Sequence, residues 1–439
     1  MMARKLSIRG NNFFFYTGLL LITFNIFPFE NYGMGSSKAL SILPFILYIL
    51  SNIANGNLFL SKTLIKDVFF IILLLIISFS ISLTEFHNTI GSMAAVSMWM
   101  VYIIVCLSFT TFIRCANENE IYTALHCIYT SFKISFWFGL AEVVYFYLVD
   151  IDAISQFIQL FVRDDMYLIS RRLQFNFGEP GDAGRMLVCL LIPLLYALYR
   201  MGYKFKLKDK FFIISLFLME AFFAASGTFF CLIAVFVYSL YIIKYWNKKK
   251  IRFFLIASFI IINIFIVYAM NSYEMYRFAN NNNIRILKLF TNGYDAFKDD
   301  NSSGVRFGLW VISYDIFTSR PIFGTGWGNF GFCFSHAYMH LDELLANNEM
   351  TNKLGNITQQ TYSIISTTFV EGGLVGFFWL MTLFLRLQWH SKYAIIFIPV
   401  FLFSLLQSMF IYEPAAIAQF FILSNKKINN ILNRRIETK

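Results

Sequence analysis

Apolar residues recur along this chain in blocks as long as a membrane crossing. A helix spans the hydrocarbon core in about 17–25 apolar residues. Such blocks lie at 12–29, 38–55, 66–84, 90–113, 121–149, 182–202, 211–226, 227–245, 253–272, 361–386 and 392–411, and a shorter run at 414–424 makes a twelfth. Ser226-Gly227 and Glu413-Pro414 are turns tight enough to join hairpins. Two polar stretches stand apart, 150–181 and 273–360. A connection as long as the second rarely lacks structure of its own, and its amphipathic stretches at 303–320 and 336–347 predict a small helical subdomain. The pattern therefore predicts an all-α polytopic membrane protein with about twelve transmembrane helices. Residues 1–272 form a membrane domain with a smaller outer segment at 150–181; 273–360 form the large outer loop between the ninth and tenth spans; 361–439 hold the last spans and a basic tail. No repeat relates the two halves, which argues against a transporter built from repeated units.

Composition agrees. Of 439 residues, 58% are hydrophobic and only 14% charged, against about 25% charged in soluble domains, so a soluble globular or a disordered chain is excluded. The net charge of +11 would suggest nucleic acid in a soluble protein. Here its distribution matters more. With the N-terminus in the cytoplasm, the inner segments carry 23 Lys and Arg and five Asp and Glu, and the remainder of the chain is net acidic. By the positive-inside rule this predicts both termini in the cytoplasm of a bacterial inner membrane, and no nucleic-acid partner. Arg4, Lys5 and Arg9 precede an apolar run, but no small-residue cleavage site follows, so no cleavable signal is expected. Cys106, Cys127, Cys189 and Cys231 fall in spans, Cys115 inside and Cys333 outside, which predicts no disulfide framework. There is no CxxC, HExxH or P-loop, and no cofactor or metal is expected.

Charged residues at membrane depth are expensive and are functional candidates. One group lies where 150–181 enters the sixth span, from Arg171-Arg172 through Gly178-Glu179-Pro180 to Asp182 and Arg185. Pro180 suits a helix start and Asp182 the first turn. Arginines around such a start suit a phosphate or diphosphate; the alternative pairs Arg185 with Glu179 or Asp182, while Arg171 and Arg172 reach lipid headgroups. A second group, in the large loop, holds Arg306, Asp315 and the run Gly324-Thr325-Gly326-Trp327-Gly328-Asn329, where the glycines suit a tight turn. Arg277 and Arg285 open that loop. His336 and His340, four apart with Asp342 and Glu343 following, share a helix face; a general base there is a stronger reading than a metal site, and a solvated face is the alternative. Lys133 and Glu142 in the fifth span and Glu220 in the seventh either line a polar cavity or sit near span ends.

Several of these runs resemble the O-antigen polymerase/ligase superfamily. Ser303-Gly304-Val305-Arg306 through Trp310, followed by Pro321-Ile322-Phe323-Gly324-Thr325-Gly326 and Asn329-Phe330, is similar to the family's loop signature. Glu371-Gly372-Gly373-Leu374-Val375-Gly376 resembles its later E-x-G element, and Phe177-Gly178-Glu179-Pro180 the F-x-E-P of its polymerases. Tyr362 stands where the ligases carry a histidine; a phenol with an ordinary pKa near 10 is a poor base, which favours polymerase over ligase. The resemblance implies a GT-C-like glycosyltransferase at the periplasmic face. It would move a glycan from undecaprenyl diphosphate onto the non-reducing-end sugar of a new lipid-linked repeat, working with a chain-length regulator. It implies diphosphate contacts among Arg171, Arg172, Arg185, Arg277 and Arg306. Glu179, Asp315, His336 and His340 are the candidates for catalysis, and Tyr362, Trp327 and Asn329 for other substrate contacts. The rival functions are an O-antigen ligase and a lipid-linked oligosaccharide flippase or transporter.

Overall fold

Prolines and capping side chains set where many of the helices begin. The computed structural model describes residues 12–24, 39–148, 156, 158, 171–177, 179–245, 277, 301–339, 355–356, 361, 363–407 and 413–437. All regular structure among them is helical. Helix α1 covers 12–20. Then come α2 (Ile42–Ala54), α3 (Lys62–Phe86), α4 (Ile90–Cys115), α5 (Glu118–Tyr147), α6 (Pro180–Arg200), α7 (Leu207–Met219, continued by a π-turn Glu220–Ala224) and α8 (Gly227–Tyr245). After them come α9 (Asn301–Ser319), α10 (Phe330–Met339), α11 (Ile364–Phe384), α12 (Ala394–Gln407), α13 (Pro414–Ser424) and α14 (Lys426–Glu437). Ser61 caps α3 by accepting from the Leu64 amide at 3.1 Å, and Asn117 and Glu120 form a reciprocal capping box on α5. Both α6 and α13 open on a Glu-Pro pair, with proline in the first turn where its missing N–H costs nothing.

Six of these helices (α3, α4, α5, α6, α8 and α11) are long and apolar enough to cross a membrane, and α2, α12 and α13 are shorter apolar helices. Their bounds fall within a few residues of the expected spans; the 253–272 span lies outside the described residues. Contacts at the two ends fix an alternating order. At the end called lower here, Arg386 at the close of α11 pairs with Asp67 at the start of α3, and the Lys427 ammonium donates to the Ile113 carbonyl at the close of α4, 2.9 Å away. At the upper end, Ser82 of α3 meets Ser92 of α4 and Arg185 of α6 meets Glu413 before α13. Lys133 pairs with Asp209 in the first turn of α7, 2.9 Å away.

One hydrophobic core runs through the membrane bundle from Phe15 to Leu432. A second, smaller core holds Val305, Leu309, Ile312 and Ile316 of α9, Phe330 and Phe334 of α10, and Val370 of α11. The α9 residues recur at helical spacing and make one face. Within the loop, the described stretch 301–339 holds two helices. The expected stretch 303–320 is α9, whereas the helix placed at 336–347 begins earlier, at Phe330. Residues 340–347 lie outside the described residues.

Candidate functional site

The loop is bolted to the bundle through backbone groups that α11 gives up. Gly373 interrupts α11 with φ 58° and ψ −156°. The carbonyl of Val370 then accepts from the Thr325 amide (2.8 Å), and the amides of Leu374 and Val375 donate to the Pro321 and Ile322 carbonyls (2.8 and 3.2 Å). These three groups released at the break find partners in 321–325, which buried backbone needs. The approach needs glycine on both sides. A Cβ on Gly324 would lie 2.2 Å from the Val370 oxygen, and one on Gly373 would lie 2.3 Å from the Ile322 oxygen.

Asn329 closes this lock. Its carboxamide oxygen accepts from the Ser82 hydroxyl at 2.8 Å, and its nitrogen donates to the Thr325 carbonyl at 2.9 Å. The Trp327 amide donates to Ser78 Oγ at 2.6 Å. The Trp327 indole stacks on Trp99 with centroids 4.2 Å apart and meets Trp379 edge-on at 6.0 Å. Glu371, 4% exposed, accepts from the Phe330 amide at 3.2 Å, placing a carboxylate at the start of α10. Trp327 and Asn329 were expected to touch substrate; they are 1% and 0% exposed and are engaged with α3, α4 and α11. Arg320 bonds to Glu85 at the end of α3, which fastens the other end of the motif.

The second polar assembly surrounds the first turn of α6. Arg185 is 2% exposed, and its Nη2 lies 2.9 Å from both Asp182 Oδ1 and Glu413 Oε2. Asp182 is one of the two partners, with Glu179, that the ion-pair alternative names; Glu413 is not among them. Beside them Gln407 at the end of α12 donates to Thr228 Oγ1 of α8 at 3.3 Å. Residues 171–177 enter the bundle as a hook. Glu142 Oε2 accepts from the Gln174 and Phe175 amides at 3.0 and 2.8 Å, and Asn176 donates to Thr23 Oγ1 at 2.9 Å. Phe175, with φ 54°, presses its ring where Gly139 leaves space: a Cβ there would lie 2.3 Å from the ring. At the base of the hook, Arg172 Nε donates to the Ala224 carbonyl at 3.0 Å, a cation at the C-terminal end of α7. Tyr147 donates to the Arg171 carbonyl at 3.1 Å. Glu220, on the π-turn of α7, is 0% exposed, and neither of its oxygens has a hydrogen-bond partner among the described residues.

The structure thus brings Arg172, Arg185, Asp182 and Glu413 to the upper end around α6. Glu179 is the residue before α6. Arg171 and Arg277 are exposed and Arg306 on α9 is half-buried. Asp315 and His336 are exposed on α9 and α10. His340 and Tyr362 lie outside the described residues, and no group of three metal-ligating side chains occurs among the described ones. The residues that sequence reasoning missed carried a signal. Glu371 is a carboxylate inside an apolar block, and Glu413 repeats the Glu-Pro pair of the sixth span.

A helical bundle with several membrane-length helices, a helical loop locked on one end and a buried arginine at the same end define a polytopic membrane protein with polar groups gathered at that end. Residues 211–381 match the family model described as O-antigen ligase, which supports the O-antigen polymerase/ligase superfamily that the motifs resemble. The matched region contains both halves of the lock. It supports an enzymatic, glycosyltransferase-like role and a place in the bacterial inner membrane. Among curated proteins, none matches the chain.

Proposed function

We propose that this chain is the polymerase of the superfamily. It transfers a growing glycan from undecaprenyl diphosphate onto the non-reducing-end sugar of a new lipid-linked repeat, with the upper end of the bundle facing the periplasm and both termini in the cytoplasm. The observation that carries the reading is that the two family motifs, 320–330 and 371–376, meet as one lock that holds the loop over the end where Arg185 is buried. In the reaction, the acceptor hydroxyl oxygen bonds to the anomeric carbon of the donor glycan. The bond from that carbon to the diphosphate oxygen breaks, and the hydroxyl loses its proton. Negative charge builds on the leaving diphosphate. In this reading Arg185, Arg172 and Arg306 meet that charge, and charge stabilisation of this kind is worth most where water is excluded. Tyr362, in the position of the ligase histidine, favours the polymerase over an O-antigen ligase. A lipid-linked oligosaccharide flippase would not need a loop locked at one end. A chain-length regulator is the expected protein partner and the bilayer the expected surroundings.

Lipopolysaccharide from a strain deleted for this gene tests the reading. Core carrying a single repeat is the expected result. Core alone would indicate a ligase or a flippase, and an unchanged ladder would overturn the assignment.

A further inference from the structure

Building on the polymerase reading, we propose that Glu220 takes the proton from the acceptor hydroxyl. Of the other carboxylates at the upper end, Asp182 and Glu413 pair with Arg185, Glu142 accepts from the hook amides, Glu371 accepts at the start of α10, and half-buried Glu179 immediately precedes α6. Glu220 is fully buried with both oxygens unpartnered among the described residues. A group left so in a native fold calls for an explanation, and chemistry is one of the few. Its position supplies a reason. Glu220 Oε1 lies 2.8 Å from where a Cβ on Gly184 would stand, so the carboxylate fills the gap left by glycine in the first turns of α6, one residue from Arg185. Its own backbone belongs to a π-turn, a distortion frequent at functional sites, and Arg172 braces the end of that turn through the Ala224 carbonyl. The acceptor sugar would enter past the tip between α7 and α8. There Ala225 is exposed with φ 48°, and a Cβ on Gly227 would meet nothing within 4 Å.

In the step assigned to it, the acceptor O–H proton moves to the Glu220 carboxylate as the oxygen attacks the anomeric carbon and the diphosphate leaves with the electron pair of the broken C–O bond. The proton is then released outward with the product.

The test is complementation of the deletion strain with the full-length chain carrying Glu220→Gln. The amide copies the size and hydrogen bonding of a neutral carboxyl but cannot accept the proton. Single-repeat glycan is expected, with polymerisation slowed by roughly 10²–10⁴-fold at normal protein content in the membrane. A carboxyl that only fills space would be served equally well by the amide, so a wild-type ladder overturns the proposal. Should Glu220→Gln fail to accumulate, Glu220→Asp serves instead. It withdraws the carboxylate by one methylene, so shortened chains are expected, and a wild-type ladder again counts against Glu220. If Arg185→Ala abolishes the ladder while both Glu220 variants keep it, the Glu220 assignment alone falls. Core without any repeat in the deletion strain overturns the polymerase reading and Glu220 with it.

Discussion

The lock beneath the loop and the cluster around α6 lie at the same end of the bundle, and both are buried and polar. They differ in how the polar groups are paired. In the lock, Asn329 uses both ends of its carboxamide, Glu371 caps a helix, and the Val370 carbonyl and the Leu374 and Val375 amides freed at Gly373 are paired with 321–325; the indole N–H groups of Trp327 and Trp379 have no partner among the described residues. The α6 cluster instead holds whole charges. Arg185 sits between two carboxylates, and Glu220 is buried without a hydrogen bond among the described residues. A satisfied network rigidifies, whereas an unsatisfied one costs stability. The first arrangement suits a fixture. The second suits a site whose charges are completed by substrate.

Substitutions separate the two. The largest effect is expected for Gly328→Val in the lock, because a Cβ there would stand 2.0 Å from the Gly91 oxygen and φ is 85°. Overpacking and backbone strain together are expected to cost on the order of 4 kcal/mol, read as loss of folded protein from the membrane. Next is Arg185→Ala, which strands Asp182 and Glu413. About 3 kcal/mol of stability should be lost along with the glycan ladder. The double variant Arg185→Met with Glu413→Gln sharpens the contrast. Stability should return toward wild type in a detergent melt while the surface glycan stays at one repeat; a restored ladder would make the ion pair purely structural. Glu371→Ala is expected to cost about 1–3 kcal/mol by baring the Phe330 amide, with glycan falling only as far as protein content falls. The smallest change is Trp327→Phe, which removes an N–H that has no partner among the described residues. It should shift the melt by less than about 1.5 kcal/mol and leave the ladder intact, whereas a shortened ladder would give Trp327 a substrate contact.

Much of the fold was legible because membrane helices announce themselves by length. The blocks at 66–84, 90–113 and 182–202 correspond to α3, α4 and α6. The cluster was legible in part. Arg185 and Asp182 share a helix face at close spacing, so their pairing could be read from the sequence. Glu413 is 228 residues away, and only the packing of α13 against α6 brings it near. The glycines of 324–328 read as a tight turn. What they adjoin, a break in α11, depends on two backbones meeting edge to edge, and no local pattern carries that. Glu220 looked like any carboxylate in a span, because burial without a partner is a property of three-dimensional surroundings.

The break at Gly373 also sets a ruler. Residues 320–329 are pinned at Arg320 to Glu85, at Pro321, Ile322 and Thr325 to α11, and at Asn329 to α3. That decapeptide therefore has a fixed length: one residue added or removed would shift a carbonyl from its amide or carry Asn329 away from Ser82. Homologous chains should vary in loop length elsewhere between spans while conserving this interval, and a tag inserted after Gly326 should be far less tolerated than one inserted at 355–356.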